Sequence, residues 1–279
     1  MSLSVGEALR DGFRRTFQRN GVLLMVVFVG LRGTSAIAAD TLTRANLELA
    51  RQFDTLPGSA APNGLQGIVE TPTPYALPVS VGTALVLGIA VALLAEAVRI
   101  VAVRTLVSDR TDAVPPDFMR RNIGLATLNA FVGGIVVLTL TVIGLVALIL
   151  PGLFVALSFF FVRQEVAVRD VNFVDAMAGS WELAAGHRLE LLGLAAALVL
   201  IGLVASIPGF LIGFVSPGAG SIIGILARAV VIVFGVASVA RAYDQLRGED
   251  EAPDTTDDEP TYEGALSAED LPPPEETSP

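Results

Sequence analysis

The chain has 279 residues, of which 53% are hydrophobic and 16% charged, and this balance excludes an ordinary soluble globular domain. The lack of cysteine excludes a disulfide framework and a Cys-ligated metal site, and a single histidine disfavours a His-ligated one. The net charge of −10 comes from residues 248–279, which hold twelve acidic side chains and no basic one. The rest of the chain carries 18 arginines against 16 acidic residues, or +2, and has no lysine. Such a composition is typical of a salt-adapted source.

The first predicted element is a basic amphipathic helix over residues 4–19. Ser4 and Glu7 have the spacing of a capping box, and the apolar residues that follow recur at helical spacing with most arginines on the other face. Such a helix lies in the headgroup layer, with its arginines on anionic lipid phosphates. Arg14 and Arg15 are the predicted interfacial anchors. The alternative is a soluble helix that packs on other protein.

Apolar segments long enough to cross a bilayer predict an all-α fold, an integral membrane bundle of about six transmembrane helices. The forty residues from Ile123 to Val162 contain no charge, which is too long for one crossing and predicts a hairpin that turns or kinks at Pro151-Gly152. The predicted polytopic membrane domain covers residues 1–247. Its spans cover residues 21–39, 77–98, 124–149, 151–168, 189–214 and 221–242.

The first span has a second interpretation. Arg14-Arg15 resembles part of a twin-arginine signal, and Ala36-Ile37-Ala38 resembles a cleavage site, so the segment has features of a cleaved secretion signal. Arg32 interrupts the apolar region and favours an ordinary span. Both interpretations place Asp40 outside the cell.

Charges between the spans predict the orientation. Residues 40–75 carry four acidic side chains against two arginines, and they predict a short helix to about Phe53 followed by a mobile external loop. The connection after the second span has five arginines against three aspartates, which is typical of a cytoplasmic segment. We therefore expect a multi-pass protein of the cell membrane with both termini in the cytoplasm.

Asn172 begins a second predicted interfacial helix, residues 172–186, which leads into the fifth span. Trp181 and Arg188 are its predicted interfacial anchors, and for Trp181 the alternative is packing against other helices. Both amphipathic helices would lie on the cytoplasmic side of the membrane.

The two amphipathic helices show an internal similarity at an offset of 168 residues. The shift aligns Glu7, Ala8, Leu9, Phe13, Leu23 and Leu24 with Asp175, Ala176, Met177, Trp181, Leu191 and Leu192. The two segments are either copies of one membrane-entry unit or a chance match among apolar residues.

Residues 248–279 are acidic, rich in proline and nearly free of large apolar side chains. Such a segment cannot bury enough apolar surface to offset the entropy of ordering, which predicts a disordered acidic tail. Its role is either solubility and repulsion between molecules or the binding of a basic partner.

The chain resembles a known membrane-domain family, most closely over about residues 150–205, more weakly over residues 4–247 and not in the tail. The resemblance rests on Arg163-Gln164-Glu165-Val166-Ala167-Val168 followed by Ala176, Ser180-Trp181, Leu183, Gly186 and Leu191-Leu192-Gly193-Leu194. The family is the membrane domain fused to some glycerophosphodiester phosphodiesterases, which also stands alone in archaeal and bacterial multi-pass proteins of undefined function. The resemblance implies a six-span helical domain. It implies no phosphodiesterase activity here, because the chain lacks the catalytic domain.

The sequence contains no catalytic motif of the P-loop, GxGxxG, HExxH or GxSxG type. His187 lies at a predicted helix end near the cytoplasmic interface, where a polar interfacial role is favoured over catalysis. We therefore predict no catalytic residue, no metal and no cofactor.

Among the charged residues inside the predicted spans, Arg32, Glu96 and Arg228 need an explanation, because an ionised side chain in hydrocarbon costs about 2.5 to 3.5 kcal/mol on insertion scales. Glu96 is three residues from Arg99 and pairs with it locally. Arg32 and Arg228 lie toward the outer half of their spans, and two positive charges cannot neutralise each other. They either extend to the outer headgroups or bind a lipid phosphate or another anion in a polar cavity.

These features predict a non-enzymatic integral membrane protein that organises or senses the bilayer, with membrane lipids as partners and no nucleic acid. The alternative is a transporter of a small anionic solute or lipid through a cavity near Arg32 and Arg228. An intramembrane enzyme lacks support, because no acid and base are paired at membrane depth.

Overall fold

The computed structural model describes residues 3–54, 73–108 and 112–250. Within these ranges the chain forms α-helices and no strand, so the predicted all-α fold is confirmed. The helices are α1 (Val5–Thr16), α2 (Arg19–Asp54), α3 (Val81–Val107), α4 (Pro116–Arg120), α5 (Ile123–Ala147), α6 (Ile149–Ser158), α7 (Val162–Arg169), α8 (Phe173–Ala184), α9 (Arg188–Val215) and α10 (Pro217–Asp250).

Among the described residues, six helical segments are long and apolar enough to cross a membrane: α2, α3, α5, α6 with α7, α9 and α10. Their outward faces carry large apolar side chains, and Val146 and Val215 are 83% and 89% exposed. So much apolar surface on several helices is stable only against another apolar medium. The bundle is therefore built to be surrounded by lipid.

Three helices extend well beyond the predicted spans, and one of them is α3, which ends at Val107 instead of near residue 98. α2 continues without a break through Asp54, and α10 begins at Pro217 and runs to Asp250. Hydropathy marks only the part of a helix that suits lipid, whereas the Leu, Ala, Glu and Arg residues past Asp40 are good helix formers and continue the same hydrogen-bond pattern. The remainder of the predicted loop, residues 55–72, and of the predicted tail, residues 251–279, lies outside the described residues.

The hairpin in the long uncharged region turns earlier than the sequence predicts. Leu148 is extended (φ −162°, ψ 147°) and separates α5 from α6, so Pro151 falls in the first turn of α6, where proline is tolerated. Gly144 and Gly152 face each other so closely that a Cβ on Gly144 would lie 2.7 Å from the Gly152 Cα. The predicted fourth span is divided in two, because Phe159–Phe161 interrupt the helix between α6 and α7.

The bundle has two different ends. At the terminal end, the backbone N–H of Ser4 donates to Gln245 Oε1 at 3.1 Å, so the start of α1 meets the last turns of α10. At the loop end, the backbone N–H of Tyr75 donates to the Asp40 carboxylate at 3.2 Å, and Ser216 separates α9 from α10. Helices α4, α7 and α8 lie at the terminal end with α1.

The buried core lies in the half of the bundle nearer the terminal end. It comprises three clusters, centred on Phe161, Leu191 and Tyr243, on Leu24, Phe28 and Val233, and on Ile100, Val103 and Val166. The loop half of α5 and α9 is mostly exposed instead. Protein–protein packing thus holds the terminal half together, while the loop half depends more on lipid.

Helices α1 and α8 correspond in structure as well as in sequence. Both have 12 residues, and both begin after a side chain that caps the helix, Ser4 accepting from Glu7 N–H and Asn172 accepting from Asp175 N–H. The 168-residue offset also aligns the four buried positions of α1, Ala8, Gly12, Arg15 and Thr16, with buried positions of α8, Ala176, Ser180, Leu183 and Ala184. Gly179 of α8 is buried as well, whereas its counterpart Asp11 is not. Each helix leads directly into a span. The correspondence supports duplication of a membrane-entry unit.

Candidate functional site

A cavity of about 890 Å³ lies in the loop half of the bundle. Its walls come from α2, α9 and α10, and Tyr75 lies at its edge near the loop end. Arg32 from α2 and Arg228 from α10 both line it. The two arginines that the sequence leaves without a partner therefore face one space.

Within the described part of the chain, no residue neutralises either guanidinium. Among residues 3–54, 73–108 and 112–250, no carboxylate or carbonyl forms an ion pair or hydrogen bond with Arg32 or Arg228, and both side chains are exposed. Arg228 lies eleven residues after the start of α10, which is about 16 Å along a helix. The cavity thus places two unpaired positive charges well inside the apolar length of the bundle.

The remaining lining is mainly small or apolar, and its polar groups are few. α9 contributes Gly202, Ala205 and Ser206, and α10 contributes Ser221 and Gly224 among others. Small side chains on adjacent helices leave the space open while allowing close backbone approach. The site therefore combines an apolar wall with two guanidinium groups and a few hydroxyls.

Glu96, the third charge predicted inside a span, lies elsewhere. Its side chain is 5% exposed and accepts from Arg163 Nε at 2.6 Å and from Arg99 Nη1 at 3.1 Å. The Arg99 contact is the local pair that the spacing predicts, whereas Arg163 comes from α7. Glu96 therefore joins α3 to α7 and takes no part in the cavity.

A family model described as a domain of unknown function, DUF7847, matches residues 3–246. The chain belongs to the DUF7847 family. No curated protein and no solved structure matches it. The match includes the whole cavity, so the two arginines lie within the DUF7847 domain. Since the family description names no activity, the resemblance to the membrane domain of phosphodiesterases stays a prediction.

The predicted anchors Arg14 and Arg15 of the DUF7847 domain face opposite ways. Arg14 is exposed and lies 3.6 Å from the carboxylate of Asp11. Arg15 is 8% exposed and donates to the main-chain carbonyls of Leu106 and Ser108, at the end of α3. A cation at a helix C-terminus satisfies carbonyls that have no partner within the helix. Arg15 therefore holds α1 to α3, and Arg14 is the one that faces outward.

Trp181 and Arg188, the other two predicted anchors, lie together. Trp181 is 42% exposed, and the Arg188 guanidinium carbon lies 5.2 Å from the centroid of its ring system and 4.6 Å from that of the Phe154 ring. The ring of Trp181 packs against Phe154 and Phe159, which is the packing alternative, and its role as an interfacial anchor stays a prediction.

Sequence reasoning missed an ionic network at the terminal end of the DUF7847 domain. Arg104 is 4% exposed and donates to the Asp170 carboxylate at 2.5 Å, to Ala167 O at 2.7 Å and to Arg121 O at 2.7 Å. Arg121 pairs with the same carboxylate. The only sequence signal for this network is the excess of arginine near these residues. The positive-inside rule accounts for that excess equally well, so the sequence does not predict the ion pairs. In the described ranges, His, Asp and Glu side chains do not gather into a group of three that could hold a metal ion.

Proposed function

We propose that this protein is a non-enzymatic membrane protein that binds a phosphate-bearing anion, the headgroup of an anionic lipid, between Arg32 and Arg228. The observation that supports the proposal is the shared cavity, which brings together two guanidinium groups that have no acidic partner in the described ranges. Lipid binding of this kind is a means of sensing or organising the bilayer.

The electrostatics favour an anion. Each arginine at membrane depth costs about 2.5 to 3.5 kcal/mol on insertion scales when it faces hydrocarbon, and a second positive charge nearby adds repulsion. A phosphate group relieves both effects, because its oxygens accept paired hydrogen bonds from the planar guanidinium fork. An anion that contacts both side chains would therefore bind more strongly than one that contacts either alone.

The lining favours a lipid over a small hydrophilic anion. Apart from the arginines and a few hydroxyls, the walls are mainly alkyl groups and glycine backbone, which cannot replace the hydrogen bonds that water donates to a free anion. Acyl chains bury well against such walls and against the exposed apolar faces of α9 beyond them. The cavity thus suits a molecule with one charged and one apolar part.

Binding can be measured by native mass spectrometry of the purified chain with phosphatidylglycerol or phosphatidylcholine. We expect preferential binding of phosphatidylglycerol, and the double variant Arg32→Gln/Arg228→Gln should bind it about tenfold to a hundredfold more weakly. That range corresponds to losing about 1.5 to 3 kcal/mol of charge-assisted hydrogen bonding.

Arg51→Gln is the matched control, because it removes the same charge from an exposed position on α2 outside the cavity. It should bind phosphatidylglycerol like the unchanged protein. Equal binding of the two lipids at the cavity, or unchanged phosphatidylglycerol binding by the double variant, would contradict the proposal. Competition by inorganic phosphate at the same concentration would assign the site to a free anion instead.

Transport of the same anion is a second candidate, because Arg228 lies within a membrane-spanning segment and the cavity opens between helices. Proteoliposomes separate the two functions. Protein-dependent movement of a labelled phosphatidylglycerol between leaflets, lost in the double variant, supports transport, whereas binding without movement supports a sensor or organiser.

We further propose that the protein resides in the cell membrane with its terminal end in the cytoplasm. Most of the arginines in the described ranges lie at that end, whereas Arg44 and Arg51 lie past Asp40 at the loop end. Excess arginine on short segments favours the cytoplasmic side. With this orientation, the cavity belongs to the outer leaflet.

A further inference from the structure

We propose that Arg188, held between Phe154 and Trp181, forms a second binding site for an anionic lipid phosphate at the terminal end of the bundle. This site is independent of the cavity, because it lies at the other end of α9 and shares no residue with it. The proposed occupant is the headgroup of a lipid in the leaflet that surrounds the terminal end.

The orientation of Arg188 is set before any ligand arrives. Its guanidinium carbon lies 4.6 Å from the ring centroid of Phe154 and 5.2 Å from that of Trp181, and its Nε donates to the buried Ser158 Oγ at 3.1 Å. The two rings meet edge to face, with centroids 5.6 Å apart. An arginine fixed by rings and by one hydrogen bond loses little further entropy when it binds a ligand.

The free edge of this guanidinium is available to an anion. Ser158 occupies Nε, and in the part of the chain that the structure describes neither terminal nitrogen of Arg188 forms a hydrogen bond or salt bridge. The arginines of the nearby network differ, since Arg104, Arg121, Arg163 and Arg169 each reach a carboxylate. Arg188 is therefore a fixed cation that retains unused donors.

The surroundings of Arg188 identify the anion as part of a lipid. Phe154 and Trp181 are 43% and 42% exposed, and Leu189, the next residue in the chain, is 81% exposed. Tryptophan next to arginine on an apolar surface is typical of the boundary between headgroups and acyl chains. A lipid can place its phosphate on the guanidinium and its chains beside these side chains, whereas a free phosphate can use only the guanidinium.

The sole tryptophan of the chain reports on this site directly. Purified protein is titrated with dihexanoyl phosphatidylglycerol, dihexanoyl phosphatidylcholine or inorganic phosphate, while the Trp181 emission is recorded. We expect a saturable change with phosphatidylglycerol and a dissociation constant at least tenfold weaker with phosphatidylcholine or inorganic phosphate. Arg188→Gln should weaken phosphatidylglycerol binding at least tenfold.

Three matched variants separate the possible outcomes. Arg120→Gln, which removes an exposed arginine at the same end, should leave the titration unchanged, and so should Arg32→Gln/Arg228→Gln. Arg188→Lys keeps the charge but not the planar fork, and should fall between Arg188→Gln and the unchanged protein. These variants distinguish failure of this site from failure of the cavity.

Native mass spectrometry in the Arg32→Gln/Arg228→Gln background gives a second readout that does not depend on fluorescence. Adding Arg188→Gln should remove phosphatidylglycerol that remains bound in that background. If both readouts are unchanged by Arg188→Gln, the arginine only supports packing and the proposal is wrong. If inorganic phosphate binds as tightly as phosphatidylglycerol, the assignment to a lipid is overturned.

Discussion

Glu165 is fully buried, and three side chains surround its carboxylate. Arg169 Nη1 lies 2.8 Å from Oε2, while the Tyr243 hydroxyl and Arg247 Nη1 lie 3.0 and 3.4 Å from Oε1. The contacts join α7 to the last turns of α10. Gly179 of α8 completes the enclosure, since a Cβ there would lie 2.6 Å from Oε2.

Glu165→Gln should therefore destabilise the protein. The change leaves Arg169 and Arg247 without their carboxylate, and breaking a buried ion pair typically costs about 3 to 5 kcal/mol. We expect the lower end of that range, because Arg169 is 40% exposed and can recover some hydration. Thermal unfolding in detergent, followed by circular dichroism, measures the loss.

Glu48→Gln provides the control at the residue scale. Glu48 pairs with Arg44 at 2.9 Å on the exposed part of α2, with both side chains more than 40% exposed. Such a pair contributes about 0 to 1 kcal/mol, so the variant should unfold almost like the unchanged protein. Equal unfolding temperatures for both variants would show that the buried carboxylate adds no stability.

Helices α9 and α10 approach each other through glycine. A Cβ on Gly209 would lie 2.9 Å from the Gly224 Cα, and one on Gly220 would lie 2.5 Å from the Gly213 Cα. Both contacts lie in the loop half, and Gly209 and Gly224 also line the cavity. The pairing of this hairpin thus fixes one side of the proposed lipid site.

Gly220→Ala and Gly213→Ala form a matched pair at this contact. The added methyl at Gly220 meets backbone, which cannot rotate away, and overpacking of this kind costs about 1 to 3 kcal/mol. The methyl at Gly213 meets nothing within 4 Å, so its effect should stay within about 0.5 kcal/mol. Gly220→Ala should unfold at a lower temperature and bind phosphatidylglycerol more weakly than the unchanged protein, whereas Gly213→Ala should match the unchanged protein in both measurements. Equal behaviour of the two variants would contradict the close contact.

At the level of elements, the spans were predictable because length and hydropathy suffice to mark them. The division between α6 and α7 was not predictable, and neither was the continuity of the first span with the predicted short helix to about Phe53 as one helix, α2, since both depend on backbone geometry that hydropathy does not register. The sequence singled out Arg32 and Arg228, but their convergence depends on which spans pack together. Likewise, Arg14 and Arg15 look alike in sequence, and only the packing of α1 shows which one is buried.

For the molecule as a whole, the lack of cysteine makes its orientation in the membrane directly measurable. Asn46→Cys introduces an exposed thiol at the loop end, and Gly6→Cys introduces one at the terminal end, where a Cβ meets nothing within 4 Å. In intact cells, a membrane-impermeant maleimide should label Asn46→Cys, and it should label Gly6→Cys only after permeabilisation. The reverse pattern would place the terminal end outside.

The uneven distribution of the core has a mechanical consequence. All three buried clusters lie in the terminal half, whereas the walls of the cavity lie in the loop half, where much of the helix surface meets lipid. In the loop half, close glycine contacts join α9 to α10 and α5 to α6, but the described residues there form no buried cluster, so we expect its helix pairs to move apart more easily than those of the terminal half. We therefore expect curvature, tension or acyl-chain packing in the surrounding lipid to change the width of the space between Arg32 and Arg228 without any change in the protein's chemistry.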